Sequence, residues 1–266
     1  MGSFTVGDVR LTRVSYFDVP LEPDIVGFTA QEIIALPWAT PSWATEDGRV
    51  LVGQAIWVIE SSGRIVVIDP CGASDGFLRT GPEAVVHQDA VLSAMVAAGF
   101  PVETVDIVVM SHLDGIGMVA FVAEGAWRPL FPNARIVISE REIAYITSHP
   151  GVDGSAAFRD LMAQGAVDGV EPPFEVVPGV TMELTGGHGP GHAILKVGDG
   201  AVFIGHLAIN PVEIGRGTTP EPDEAFEALE RQLTWASERN ALVIGSLWPA
   251  PGAGRVSGPP WTLCPA

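Results

Sequence analysis

The first half of the chain alternates short apolar runs with helical patterns. Residues 50–60 and 64–69 are β-branched apolar runs joined by Ser-Ser-Gly, which predicts a hairpin. Residues 84–99 have helical periodicity and end on a glycine. Residues 105–110 form a continuous apolar run, which is typical of a strand buried on both faces.

A further strand, residues 135–138, leads into a helix start. Ser139 and Glu142 have the spacing of a capping box, which predicts a helix through Ser148. Another helix is predicted over residues 155–164, and the segment after it, rich in Gly, Asp and Pro, is predicted to be a loop.

The second half repeats this plan. It contains predicted strands, a long helix and a last buried strand at residues 180–184, 193–197, 201–205, 221–239 and 241–245. Both halves run hairpin, helix, buried strand, and no linker-like stretch divides them. We therefore predict a single α/β domain over residues 1–266, built from two similar layers of sheet with helices outside.

Composition and charge narrow the functional classes. Of the 266 residues, 47% are hydrophobic and 17% charged, which excludes a disordered chain. Lys and Arg number 14 against 32 Asp and Glu, a net charge of −18. Because such a surface repels polyphosphate and anionic lipid, we expect no nucleic-acid or membrane partner. The expected partner is a small-molecule substrate.

Cysteine usage and the N-terminal segment indicate a cytoplasmic protein. Cys71 and Cys264 are too few for a disulfide framework or a cysteine metal cluster. The first residues lack the apolar core of a secretory signal, and no run approaches the roughly 18 apolar residues of a membrane span.

Ionisable side chains lie at the ends of predicted strands. His112 and His206 each follow a buried strand, His192 precedes one, and Asp114 lies two residues past His112. In α/β sheets, ligands bind beyond the carboxyl ends of strands, and imidazole and carboxylate are the usual acid-base and metal-binding groups. We expect these side chains to share one pocket.

Four motifs around these residues resemble those of the metallo-β-lactamase superfamily. SHLDGIG at 111–117 resembles S/T-H-x-H-x-D-H-x-G, and GHGPGH at 187–192 is similar to G-H-T-P-G-H. FIGH at 203–206 resembles F-x-G-D, and GSLWPAPG at 245–252 resembles G-S-H-x-P-x-P-G. The resemblance spans roughly residues 35–256 and implies the four-layer αββα sandwich of that superfamily.

The first motif departs from the superfamily's ligand set. The superfamily supplies three His and one Asp there, whereas this chain keeps His112 and Asp114. One alignment deletes two residues after Leu113, which removes the second His and places Gly115 at the last ligand. An ungapped alignment places Asp114 at the second His and replaces the later Asp and His by residues 116 and 117.

The remaining motifs lack the residues that bind the second metal ion in the superfamily. His206 replaces the superfamily's bridging Asp, and Leu247 replaces its last His. A dinuclear centre needs bridging and flanking ligands, so we expect none. The favoured expectation is a pocket without a cofactor. The alternative is one Zn or Fe ion bound by His112, Asp114, His192 and His206.

Other polar residues are assigned structural roles. Asp69 is expected to anchor the loop after its strand through backbone hydrogen bonds, and His188 corresponds to a superfamily position that is not usually a ligand. His87 and His149 are interpreted as surface or core-edge residues.

Aromatic and apolar residues near the motifs suggest a substrate pocket. Trp38 and Trp43 lie in a Pro-rich loop that either forms an apolar wall or is pinned to the body by its aromatics. The same pocket is expected to include Cys71, Leu247 and Trp248, with Cys71 as an inert thiol.

Three functions are compatible with the sequence. The favoured hypothesis is an atypical enzyme that acts on a small, largely apolar substrate by His/Asp acid-base chemistry, as in cyclisation, elimination, isomerisation or ester and lactone hydrolysis. The second is a mononuclear Zn or Fe hydrolase or lyase that uses the same residues. The third is a non-catalytic ligand- or partner-binding protein on this scaffold.

Overall fold

The computed structural model describes residues 2–70, 82–113, 120–152, 154–216 and 223–266. Its first sheet has seven strands in the order β1-β2-β3-β4-β5-β8-β9. These strands are β1 Gly2–Val6, β2 Val9–Leu21, β3 Val50–Ser61, β4 Arg64–Ile68, β5 Ile107–Val109, β8 Arg135–Ser139 and β9 Val167–Val170. The strands β4, β5, β8 and β9 pair in parallel, and the others pair antiparallel.

The second sheet also has seven strands, arranged in sequence order from β10 to β16. They are β10 Phe174–Val177, β11 Val180–Leu184, β12 Ala193–Val197, β13 Ala201–Phe203, β14 Leu242–Ile244, β15 Ala253–Ser257 and β16 Thr262–Pro265. The pair β13–β14 is parallel, and the remaining pairs are antiparallel.

Helices and a small hairpin complete the described fold. The helices are α1 Ala30–Ile34, α2 Pro82–Ala97, α3 Glu140–Ser148, α4 Ser155–Ala163, α5 Val212–Arg216 and α6 Asp223–Arg239, with 3₁₀ turns at Pro23–Val26 and Val102–Thr104. The strands β6 Ala120–Ala123 and β7 Ala126–Pro129 form a separate hairpin. None of the described helices is both long enough and apolar enough to cross a lipid bilayer.

Three buried clusters define four layers. The central cluster joins the inner faces of the two sheets, for example Trp57 of the first and Phe203 of the second, whose rings meet edge to face at 5.7 Å. A second cluster packs helices α2, α3 and α4 on the first sheet, and a third packs α5 and α6 on the second. Because each sheet is apolar on both faces, both faces are covered. The αββα sandwich predicted from the sequence is confirmed.

The strand directions give the sandwich two different edges. The carboxyl ends of β4, β5 and β13 lead to Asp69, His112 and His206 at one edge. The turns before β2, β4, β11 and β13 line a cleft of about 590 Å³, and Ser61 Oγ donates across it to Pro178 O at 2.7 Å. The candidate residues therefore lie at the strand ends, away from this turn cleft.

Most predicted elements are present with shifts of a few residues. The β3–β4 hairpin, the helix α3 and the strands β11 and β12 lie where the sequence predicts them. The prediction of a loop after residue 164 is wrong, because β9 and β10 form there. Gly169 within β9 and the prolines at 172, 173 and 178 beside β10 obscured a strand that pairs with β8 and another that pairs with β11.

Candidate functional site

Two strands deliver histidines to the site edge. His112 follows β5, and His206 follows β13 after a turn in which Gly205 has φ +57°. A Cβ on Gly205 would lie 2.6 Å from His192 Nε2, so only glycine fits between the two histidines. His192 lies directly before β12, at the same edge.

The imidazole rings converge, as the strand-end pattern predicts. The ring centroid of His112 lies 4.7 Å from that of His188, 4.9 Å from that of His192 and 4.8 Å from that of His206. Nε2 of His112 and Nε2 of His188 are hydrogen-bonded at 3.1 Å. His112, His192 and His206 therefore share one site, and His188 joins them. Their chemical roles remain predictions.

Sequence reasoning missed the place of His188. The sequence assigned it a structural role and placed it outside the shared pocket. In the structure one of its ring nitrogens lies within 4.8 Å of ring nitrogens of His112 and His206. His188 has φ +68°, a left-handed conformation that costs a residue with a side chain about 1 kcal/mol or more. A non-glycine residue at this turn, with Gly187 and Gly189 beside it, was the available signal.

The His192 ring is held by the protein at both nitrogens. The backbone N–H of His206 donates to Nε2 at 3.3 Å, and Thr185 Oγ1 lies 3.0 Å from Nδ1. Since Nε2 accepts, the proton resides on Nδ1 and is donated to Thr185. The ring is fully buried. His192, which the sequence suggested as a ligand, therefore has a structural use for each nitrogen.

Burial controls the charge of the cluster. It lowers the pKa of His112 well below its usual value, and the neighbouring His206, His192 and His188 lower it further. Burial likewise lowers the pKa of His192 well below its usual value, with His188 and His206 adding to the effect. Both imidazoles are consequently neutral near pH 7.

Asp69 ties the site loops together, as predicted from its place after β4. Its Oδ1 accepts from the backbone N–H of Ser111 at 2.7 Å, and its Oδ2 accepts from Ser246 Oγ at 3.1 Å. Ser111 Oγ lies 2.9 Å from Nδ1 of His112. Burial raises the pKa of Asp69, while the hydrogen bonds from Ser111 oppose that rise. Asp69 thus orients His112 through Ser111.

The tryptophans Trp38 and Trp43 pack their loop against the body of the protein, which is one of the two alternatives drawn from the sequence. Trp43 and Trp248 are fully buried and meet edge to face at 5.9 Å, and Trp248 Nε1 donates to Ala208 O at 3.0 Å. Trp38 is half-buried against the same cluster. The loop is therefore pinned to the body by its aromatics. Leu247 is half-buried and packs on this cluster, with its carbonyl accepting from Gly53 N at 2.9 Å.

Two predicted site residues, Asp114 and Cys71, lie outside the described residues. His87 lies in α2, and His149 is exposed just after α3.

A cleft of about 280 Å³ reaches the cluster from one side. It is lined by the turn Gly186–Pro190, which includes His188, and by Glu224. Among the clustered histidines, His188 is the one that borders this cleft.

Comparisons with known proteins address the fold. No family model matches the sequence, and no curated protein matches it. The structure resembles that of a hydrolase, AbOPH, in the beta lactamase superfamily, with a TM-score of 0.76 and 20% identity over 99% of this chain and 96% of that chain. It also resembles AidC, a dizinc quorum-quenching lactonase, with a TM-score of 0.74 and 18% identity over 100% and 97% of the two chains.

A third similar structure is a probable metal-dependent hydrolase from Staphylococcus aureus, with a TM-score of 0.66 and 16% identity over 92% of this chain and 91% of that chain. Identities of this size establish the fold and leave the activity to the site itself. With two seven-stranded sheets between helices and histidines at the strand ends, this chain has the metallo-β-lactamase fold.

Proposed function

We propose that the protein is a hydrolase of small esters or lactones whose centre holds one divalent metal ion on His112, His188 and His206. The observation that carries this proposal is the grouping of their three ligand nitrogens within 4.8 Å of one another. Three histidines with an open fourth position are a ligand set of catalytic zinc sites. The hydrolases and the lactonase with similar structures support the reaction class.

The spacing of one pair of donors, His112 and His188, fits a small metal ion. Two nitrogens bound to zinc at about 2.0–2.1 Å in tetrahedral geometry lie roughly 3.3 Å apart. The Nε2 atoms of His112 and His188 lie 3.1 Å apart, which is close to that spacing. Ser111 fixes the far nitrogen of His112, as a hydrogen-bonded partner of a metal ligand does.

Each protein group has a separate task in such a reaction. A bound divalent ion would supply an activated water and polarise the substrate carbonyl. His112, held by Ser111 and Asp69, keeps its Nε2 directed at His188. His188 borders the cleft through which a small substrate enters. His192 maintains the spacing by holding the backbone of His206.

A single ion, rather than two, is part of the proposal. Leu247 occupies the position that resembles the superfamily's last ligand, and its aliphatic side chain packs on the core. His206 lies at the position that resembles the superfamily's bridging carboxylate. Asp114, which the sequence suggested as a further ligand, lies outside the described residues and is not part of the proposed set.

Metal binding tests this proposal directly. Metal-stripped protein titrated with zinc against a chelating dye should bind one equivalent. His188→Ala and His206→Ala should weaken binding by more than about 100-fold, because each removes one of three ligands. His149→Ala removes an exposed histidine outside the cluster and should change nothing. Two tightly bound equivalents, or wild-type affinity in His188→Ala, would contradict the proposal.

Turnover of p-nitrophenyl acetate and of a γ-lactone tests the reaction class. A chelator should abolish hydrolysis and zinc should restore it. His192→Ala should still bind one equivalent of zinc, since both of its ring nitrogens are engaged within the protein.

A metal-free acid-base enzyme is the second candidate. The 3.1 Å contact between His112 and His188 favours it, because the pair can pass a proton. In that case a chelator leaves turnover unchanged and His206→Ala lowers it by roughly 10²-fold. Ligand binding without turnover would favour the third hypothesis, a non-catalytic binding protein.

A further inference from the structure

Two helices of this chain begin with the same Ser/Thr-x-x-Glu pattern and use the glutamate differently. At α1, Thr29 accepts from Glu32 N, and Glu32 Oε2 accepts from Thr29 N at 2.8 Å, which completes a capping box. At α3, Ser139 Oγ accepts from Glu142 N at 3.1 Å, but the carboxylate of Glu142 accepts from Leu113 N at 3.0 Å. The second glutamate therefore serves a distant loop instead of its own helix.

The loop that Glu142 holds belongs to the histidine cluster, and so does a second loop beside it. Leu113 directly follows His112. Gly191 directly precedes His192, and its carbonyl accepts from Ser139 Oγ at 2.7 Å. A Cβ on Gly191 would collide with the backbone of Glu142, so this loop lies against the start of α3. The start of α3 thus contacts both histidine-bearing loops.

Burial of the Glu142 carboxylate costs free energy. Glu142 is 3% exposed, and its Oε2 is buried without a hydrogen-bond partner in the described part of the chain. Burial raises its pKa, and the backbone N–H groups of Leu113 and Gly191 oppose that rise. A helix cap alone needs no buried carboxylate, as the exposed box at Thr29 and Glu32 shows. An unsatisfied buried oxygen calls for a reason beyond the helix.

We propose that Glu142 is a positioning residue, which sets the separation of His112 from His188 by holding Leu113 against the loop that contains Gly191. This deepens the proposed function, since the histidines it positions are the proposed ligands. Partners that orient metal ligands typically change metal affinity 10- to 100-fold when they are removed.

The test compares Glu142→Ala with the matched change Glu32→Ala. In metal-free protein, Glu142→Ala should shift the imidazole ¹⁵N signals of His112 and His188, and it should weaken zinc binding by about 10-fold or more. Glu142→Gln keeps one acceptor for Leu113 and should give an intermediate result. Glu32→Ala removes the same type of cap glutamate from α1 and should leave both readouts at their wild-type values.

The outcomes separate this inference from the proposed function. If the wild type binds no zinc, the metal centre is refuted, while the imidazole signals of the metal-free variants still decide the role of Glu142. If Glu142→Ala does not fold, Glu142→Gln against Glu32→Gln makes the same comparison. Imidazole signals unchanged in a folded Glu142 variant would overturn the inference.

Discussion

The four clustered histidines differ in what their ring nitrogens contact. His112, His188 and His206 direct nitrogens toward one another, whereas His192 has Nε2 on the backbone of His206 and Nδ1 on Thr185. His192 occupies the position that resembles a superfamily ligand, and His188 lies four residues before it. The same glycine-rich segment therefore supplies His192, whose ring nitrogens both contact the protein, and His188, whose ring nitrogen faces His112 and His206.

Buried neutral histidines make the stability of the metal-free protein depend on pH. The pKa values of His112 and His192 are lowered well below the ordinary value near 6.5 that they regain on unfolding. Between the two values the unfolded chain binds more protons, so the free energy of unfolding should fall as the pH decreases from about 7 to about 5.5. Urea unfolding with a chelator present measures it.

The control variant for this pH effect is His192→Ala, which removes one of the two groups. Its stability should fall less steeply toward acid than that of the wild type, although it is less stable at pH 7. His149→Ala should keep the wild-type slope. A free energy of unfolding that is constant or rises toward acid in the wild type would contradict the assignment.

At the scale of elements, the predictable part of the fold is the part whose pattern is continuous. The β3–β4 hairpin and β12 were predicted because their apolar runs end at clear turns. The strand β9 contains Gly169, where Ile143 packs so closely that a larger side chain would collide with it. The apolar pattern expected of a strand is therefore interrupted at this position. The convergence of His112, His192 and His206 was predictable from their places at strand ends, whereas that of His188 was not.

Two features of the site depend on geometry that sequence periodicity does not carry. The left-handed turn that directs His188 at His112 follows from its φ of +68°. The diversion of Glu142 to Leu113 depends on the loop lying within reach of α3, although the Ser139 half of the predicted capping box is present. Both arise from long-range packing.

The contact between α3 and the 187–192 turn gives a prediction with an internal control. Gly191→Ala should destabilise the protein by about 2 kcal/mol or more, because a Cβ there collides with the backbone of Glu142 and the loop must move. Gly189→Ala places a Cβ where no atom lies within 4 Å and should change stability by less than about 0.5 kcal/mol. Urea unfolding of both variants checks this, and equal losses would contradict it.

At the scale of the whole molecule, the excess of negative charge opposes the compact state. The net charge is −18, and the described ion pairs, such as Arg64–Asp106, lie mostly at the surface. Self-repulsion of this kind destabilises the compact state and is screened by salt. The melting temperature should therefore rise between about 0.02 and 0.2 M NaCl, where the Debye length shortens from roughly 20 to 7 Å. A falling melting temperature would mean that attractive pairs outweigh the repulsion.

The hydrogen bonds of Asp69 have a consequence for motion. Ser111 follows a strand of the first sheet and Ser246 a strand of the second, so one buried carboxylate fastens the two sheets together beside the histidines. The other edge, with its open turn cleft, has Ser61 on Pro178 as a crossing contact. The two sheets are thus joined at both edges, by the buried carboxylate of Asp69 beside the histidines and by Ser61 at the turn cleft. Because the Asp69 contacts are buried, we expect the separation of the sheets to fluctuate less at the site edge than at the turn cleft.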